Sequence, residues 1–130
     1  MPKQVYTPRL KRRRLFWVGT TLEDLRAFPD EVRREVGHAL HLAQLGEKSP
    51  SAKPLRGFKG AGVLEVVETF DGSAYRAVYT VRFASGVYVL HAFQKKSHRG
   101  IATDRRDIEL VEKRLREAEE IDREMRARKR

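Results

Sequence analysis

The chain has 130 residues, with 28 Lys or Arg against 18 Asp or Glu, a formal net charge of +10 and a pI near 10.3. That length suits one domain around one modest core, and so large a basic excess points to an anionic partner, either nucleic acid or an acidic protein. The lack of cysteine removes disulfides and thiolate metal sites, and no apolar run approaches the roughly 18 residues that a membrane span needs.

Residues 1–14 hold six Lys or Arg and no acid, ending in KRRR, and are expected to form a flexible basic arm. No apolar stretch resembling a secretory signal follows, so a cytoplasmic location is expected. LFWVG (15–19) reads as a short strand stopped by Gly19. Thr20 or Thr21 ahead of Glu23 and Asp24 marks a helix start, and Pro29 keeps that helix short by disfavouring helical geometry at Phe28. Asp30 is placed to cap a second helix. Its apolar stripe is Val32, Val36, Leu40 and Ala43, broadened by Leu42 and Leu45, and Gly46 stops it.

Residues 47–62 are rich in Pro, Gly and Ser and read as loop. Three strands then follow: VLEVVETF (63–70), YRAVYTVRF (75–83) and VYVLHAF (87–93), joined by turns at DGS (71–73) and ASG (84–86). In the middle strand Tyr75, Ala77, Tyr79, Val81 and Phe83 share one face, and Arg76, Val78, Thr80 and Arg82 the other. A final helix begins near Thr103, Asp104 and Asp107 and carries Ile108, Val111, Leu115 and Ala118 on one stripe. The expected organisation is an arm (1–14), a domain (15–118) and a charged helix end or tail (119–130). The fold class is α+β, a small mainly antiparallel sheet with the helices packed on one face.

Charge is distributed unevenly. From Gly72 to Thr103 there is no Asp or Glu, yet the tract carries Arg76, Arg82, Lys95, Lys96 and Arg99 with His91 and His98. A second acid-free tract, Lys48 to Leu64, carries Lys48, Lys53, Arg56 and Lys59. Four histidines without cysteine leave a metal site short of ligands, so neither metal nor cofactor is expected. Phosphate-loop and nucleophile-elbow motifs are absent from the sequence.

The arginine face of YRAVYTVRF is expected to look away from the core, onto solvent or a ligand. Arg56, Lys59, Arg82 and Arg99 are the candidates for holding RNA phosphates. Cleaving RNA without a metal requires removing the 2′-hydroxyl proton, stabilising the phosphorane-like transition state and protonating the leaving 5′-oxygen. Arg76 is the candidate stabiliser. His91, Lys95, Lys96 and His98 are the candidate acids and bases, although His91 ends an apolar run and also suits a core position. Asp104 and Asp107 are read as serving the helix terminus.

The stretches KPLRG (53–57), GVLEVVE (62–68), YRAVYTVRF (75–83), VYVLHAFQKKS (87–97) and GIATDRRDIELVEKRL (100–115) resemble the RelE/ParE superfamily of toxins. Together with DLRAFPDEVRREVGHALHLAQLGE (24–47), they are most similar to its phage-derived Gp49-like branch, akin to HigB. The resemblance implies a compact RelE-like (microbial RNase-like) fold and the toxin of a type II toxin–antitoxin pair. It further implies ribosome-dependent, metal-independent cleavage of mRNA that inhibits translation, and a small helix-turn-helix antitoxin as partner.

By the same resemblance, Arg76 matches the superfamily's active-site arginine, and Lys95 or Lys96 the basic residue that ends the next strand. Two departures stand out. RelE-type lysines on the preceding strand are replaced by Glu65 and Glu68, and the last helix has no tyrosine. Proton transfer then falls to His91, Lys95, Lys96 or His98. Two other readings remain open: a ParE-like gyrase inhibitor without catalysis, and a non-toxic RNA-binding remnant.

Overall fold

Apolar residues along 63–95 build the centre of the structure, a computed structural model that describes residues 12–58, 60, 62–95 and 103–128. In chain order the elements are β1 (Arg14–Trp17), α1 (Thr21–Arg26), α2 (Asp30–Gln44), β2 (Ala52–Pro54), β3 (Val63–Phe70), β4 (Ser73–Thr80), β5 (Gly86–Lys95) and α3 (Arg105–Arg128). The five strands form one sheet in the order β1-β5-β4-β3-β2. β1 runs parallel to β5, and every other pairing is antiparallel.

The β3–β4 hairpin turns on Asp71 and Gly72, whose φ angles of 53° and 81° are both positive. A two-residue turn of that kind matches the twist of its flanking strands, and Asp-Gly tolerates it best. The turn fixes the register Phe70↔Ser73, and so places Val67 opposite Arg76 and Glu65 opposite Val78.

The α+β class and the mainly antiparallel sheet agree with the sequence reading, but the helices do not share a face. Leu25, Phe28, Val32, Val36, Leu40 and Ala43 of α1 and α2 pack on Val66, Ala77, Tyr79, Val87 and Val89. Val111 and Ala118 of α3, with Ile108 and Leu115 beside them, pack on Val63, Val78, Tyr88 and Leu90 across the sheet. The physical reason lies in β5, which is buried without a break from Gly86 to Ala92. A strand apolar on both faces needs a layer on each side. The face that carries Arg76 is therefore covered by α3 and does not look outward.

Other departures are local. The stretch 47–62 contains β2, a three-residue edge strand on which Pro54 is tolerated because its missing N–H faces no ladder. β4 ends at Thr80, so Arg82 lies beyond it. Asp30 is the first residue of α2 after Pro29, and pairs with Arg33 at 2.5 Å without capping the helix. At α3 the N–H of Asp107 donates to Asp104 Oδ1 at 3.3 Å, so the capping carboxylate is Asp104, not Thr103. The helix continues to Arg128. No helix among the described residues is long and apolar enough to cross a membrane.

β1 is held close at Gly86. A Cβ there would lie 2.6 Å from the Arg14 carbonyl oxygen and 2.8 Å from the Phe16 ring. Because the nearest atom is backbone, Gly86→Ala is expected to lower stability by about 1–3 kcal/mol. Chemical denaturation should show this as a lower midpoint at unchanged slope.

Candidate active site

The register places Lys53 on β2, Glu65 and Val67 on β3, Arg76 on β4 and Phe93 and Lys95 on β5 along one end of the α3-covered face. The first turn of α3 and the Thr103–Asp104 segment before it close over that end through three side-chain ties.

The first tie is at Arg76, which is 6% exposed. Its Nη1 donates to Glu65 Oε2 at 3.1 Å and reaches Thr103 Oγ1 at 3.5 Å. The Thr103 hydroxyl donates to the same Glu65 oxygen at 2.5 Å. Glu65 Oε2 thus takes both donors, and none of the described residues donates to Oε1. An ionised carboxylate beside a guanidinium satisfies the cost of burying either charge, and it holds the guanidinium plane in one orientation.

The second tie is at His91, whose Nε2–H donates to Asp107 Oδ1 at 2.8 Å while its ring stacks on Phe93 with centroids 4.2 Å apart. Nδ1 is buried, and none of the described residues hydrogen-bonds it. Protonation would place an N–H there with nothing to accept it. Burial accordingly lowers the His91 pKa below its ordinary 6.5, an effect only partly opposed by Asp107 and reinforced by Arg114.

The sign of the resulting pH dependence follows. The unfolded chain takes up this proton at about pH 6.5 and the folded chain only lower. The stability that neutral His91 provides is whole above about pH 6.5 and declines as pH falls toward the folded pKa. Wild type is expected to lose stability between pH 7.5 and 5.5, and His91→Gln to lose less. Denaturation at the two pH values checks this, as does an NMR titration midpoint for His91 below 6.5.

The third tie joins Lys95 Nζ to Asp104 Oδ2 at 3.1 Å. The ammonium beside it holds the Asp104 carboxyl below its usual range. Asp104 and Asp107 therefore have partners on β5 as well as a place at the helix terminus, which corrects their purely terminal reading.

Between the β2–β3 loop and α3 lies a cleft of about 580 Å³. Lys53, Arg56, Glu65, Arg76 and Thr103 supply its polar lining, and Pro54, Leu55, Val67 and Ile108 its apolar lining. Among the sequence candidates, the structure brings Arg76 and Arg56 together in this cleft. Lys95 is on the same sheet face, two residues along β5 from Phe93, the ladder partner of Arg76. His91 is buried under α3 and does not line the cleft. Arg82 is exposed on the β4–β5 connection, its guanidinium 5.7 Å from the Phe83 ring centroid. Lys59, Lys96, His98 and Arg99 lie outside the described residues.

Glu65 and Thr103 are the functional candidates that sequence reasoning leaves out. The Asp71-Gly72 turn carried the signal for Glu65, because counting back from it sets Glu65 and Arg76 on one face of neighbouring strands. No comparable signal marks Thr103. Among the described residues, no group of three or more His, Asp or Glu is placed to hold a metal ion.

The family model described as "Phage derived protein Gp49-like" matches residues 23–116, a span that includes Glu65, Arg76, Lys95 and Thr103. No curated protein and no solved structure matches the chain.

Proposed function

The chain belongs to the Gp49-like family of phage-derived proteins, a family of RelE/HigB-like toxins, and from that premise we propose that it is a metal-independent endoribonuclease that cuts mRNA on the ribosome. Membership carries with it an antitoxin partner; we take that partner to be a small helix-turn-helix protein and the site of action to be the cytoplasm. The observation that carries the reading is the Glu65–Arg76 pair at the bottom of a cleft otherwise rimmed by Lys53 and Arg56.

Each requirement of the reaction then has a residue. Glu65 Oε1 takes the 2′-hydroxyl proton, and the freed oxygen attacks the adjacent phosphorus. Arg76 hydrogen-bonds the non-bridging oxygens as negative charge builds on them. Its pairing with Glu65 means that this donor is already oriented when substrate arrives. Lys53 and Arg56 hold flanking phosphates.

Lys95 is the assigned proton donor to the leaving 5′-oxygen, its ammonium positioned by Asp104. Lys96 and His98 stay candidates for that step from the sequence alone. His91 serves as a positioning residue that fastens α3 to β5 through Asp107. Neutral and buried, it suits that task better than proton exchange with substrate.

The test is induction of wild type in cells with mapping of mRNA 5′ ends and of DNA breaks. New mRNA ends within coding regions, with intact DNA, are expected. Growth arrest with DNA cleavage complexes and unchanged mRNA would instead identify a gyrase inhibitor. No arrest, with retained salt-sensitive RNA binding, would identify a binding remnant.

A further inference from the structure

Val67 is the one large hydrophobic residue left exposed among the described residues, at 38%. Its partner across the β3–β4 ladder is Arg76, so the two side chains leave the sheet next to each other, about 5 Å apart at Cβ. Single exposed valines are ordinary on a convex surface. This one lines a cleft of about 580 Å³, where Pro54, Leu55 and Ile108 extend the apolar wall beside the buried guanidinium.

An apolar wall next to a few fixed polar groups is the usual composition of a small-ligand site, and the volume is in the usual range for one. The two halves ask for different things. Arg76, Lys53 and Arg56 suit an anion, whereas Val67, Leu55 and Ile108 suit a flat, weakly hydrated group attached to it. A nucleotide joins the two chemistries at a short distance, as inorganic phosphate or an acidic side chain does not.

We propose that Val67 and Ile108 form a shelf that takes one nucleobase of the RNA while its phosphate rests on Arg76. The inference builds on the endonuclease reading by naming how the cleft holds its substrate. Aliphatic walls offer no donors or acceptors, so the shelf accepts any base by its face.

The experiment is a methyl NMR titration of the full chain with the four nucleoside 3′-monophosphates and, separately, with inorganic phosphate. Nucleotides are expected to shift the Val67 and Ile108 methyl resonances upfield through the base ring current, and phosphate is expected not to. Val67→Thr, which keeps the branched shape on an exposed strand position, should weaken nucleotide binding about fivefold. Its phosphate binding should be unchanged. Identical methyl responses to nucleotide and phosphate, or nucleotide binding unaffected by Val67→Thr, would overturn the proposal. Binding is read here without turnover. A chain that binds nucleotides on the shelf yet cuts no mRNA would sink the endonuclease reading and support the shelf.

Discussion

Replacing Arg76 with alanine is expected to lower RNA cleavage by about 10²–10³-fold, the range seen when one oriented donor to a developing oxyanion is removed. Growth inhibition on induction should fall with it. The buried position makes the effect larger than a surface arginine would give, because a guanidinium only 6% exposed is less screened by water. Removing the guanidinium also strands Glu65, whose side chain is only 14% exposed, so the alanine variant should lose stability too. Arg76→Lys keeps the charge and loses the planar fork. It should fold better than the alanine variant and still cleave poorly, because a point charge does not orient two phosphate oxygens.

Glu65→Gln separates the roles further. The amide oxygen can still accept from Arg76 and Thr103, so the geometry is kept, but the buried guanidinium loses its counter-charge and some stability should be lost as well. The base is gone, and cleavage should fall about 10²–10⁴-fold. A Glu65→Gln variant that cleaves like wild type would remove Glu65 from the reaction.

The second large effect concerns the fold. Asp122, in the strongly charged last part of α3, is 3% exposed. Its Oδ1 accepts the Ser85 N–H at 2.9 Å, and its Oδ2 accepts from Arg126 Nε at 3.0 Å. It thereby pins the β4–β5 turn to the helix, with Ile121 packed in the same cluster as Val111 and Ala118. Asp122→Ala is expected to cost about 1–3 kcal/mol, chiefly by leaving the Ser85 N–H without its acceptor, because Arg126 is 60% exposed and water takes over its partner. Burial alone would raise the Asp122 pKa, but the Ser85 hydrogen bonds and Arg126 outweigh it and leave the group below its ordinary 3.8.

With the folded pKa below the unfolded one, this stability is present above about pH 3.8 and is lost as pH falls through the folded value. Denaturation of wild type and Asp122→Ala should therefore converge on acidification below about pH 3.8 and differ most at neutral pH.

The elements were largely legible, and their arrangement less so. Asp71-Gly72 between two strand-like runs marked the hairpin, and Pro29 marked the break between α1 and α2. β2 was hidden because three residues carry no periodicity, and its pairing with β3 supplies the order. The placement of α3 was legible only in part. The unbroken apolar run of β5 shows that both sheet faces are covered, but the choice between faces depends on packing far apart in sequence.

The same gap explains the candidate site. Arg76 and Arg56 were identifiable from charge alone. Glu65 required the ladder, because proximity along the chain places no acid beside Arg76. Asp104 and Asp107 required the position of α3, since helix-start acids look alike in sequence whether or not a lysine and a histidine await them on β5.

The most direct measurement is the chemistry of the cut ends. Purified protein is incubated with translating ribosomes and a defined mRNA, and both fragments are analysed by mass. Attack by the 2′-hydroxyl with Glu65 as base and Arg76 as stabiliser predicts a 2′,3′-cyclic phosphate upstream and a 5′-hydroxyl downstream, with both lost in Glu65→Gln. Intact mRNA with the wild-type protein, or fragments bearing 5′-phosphates, would contradict it.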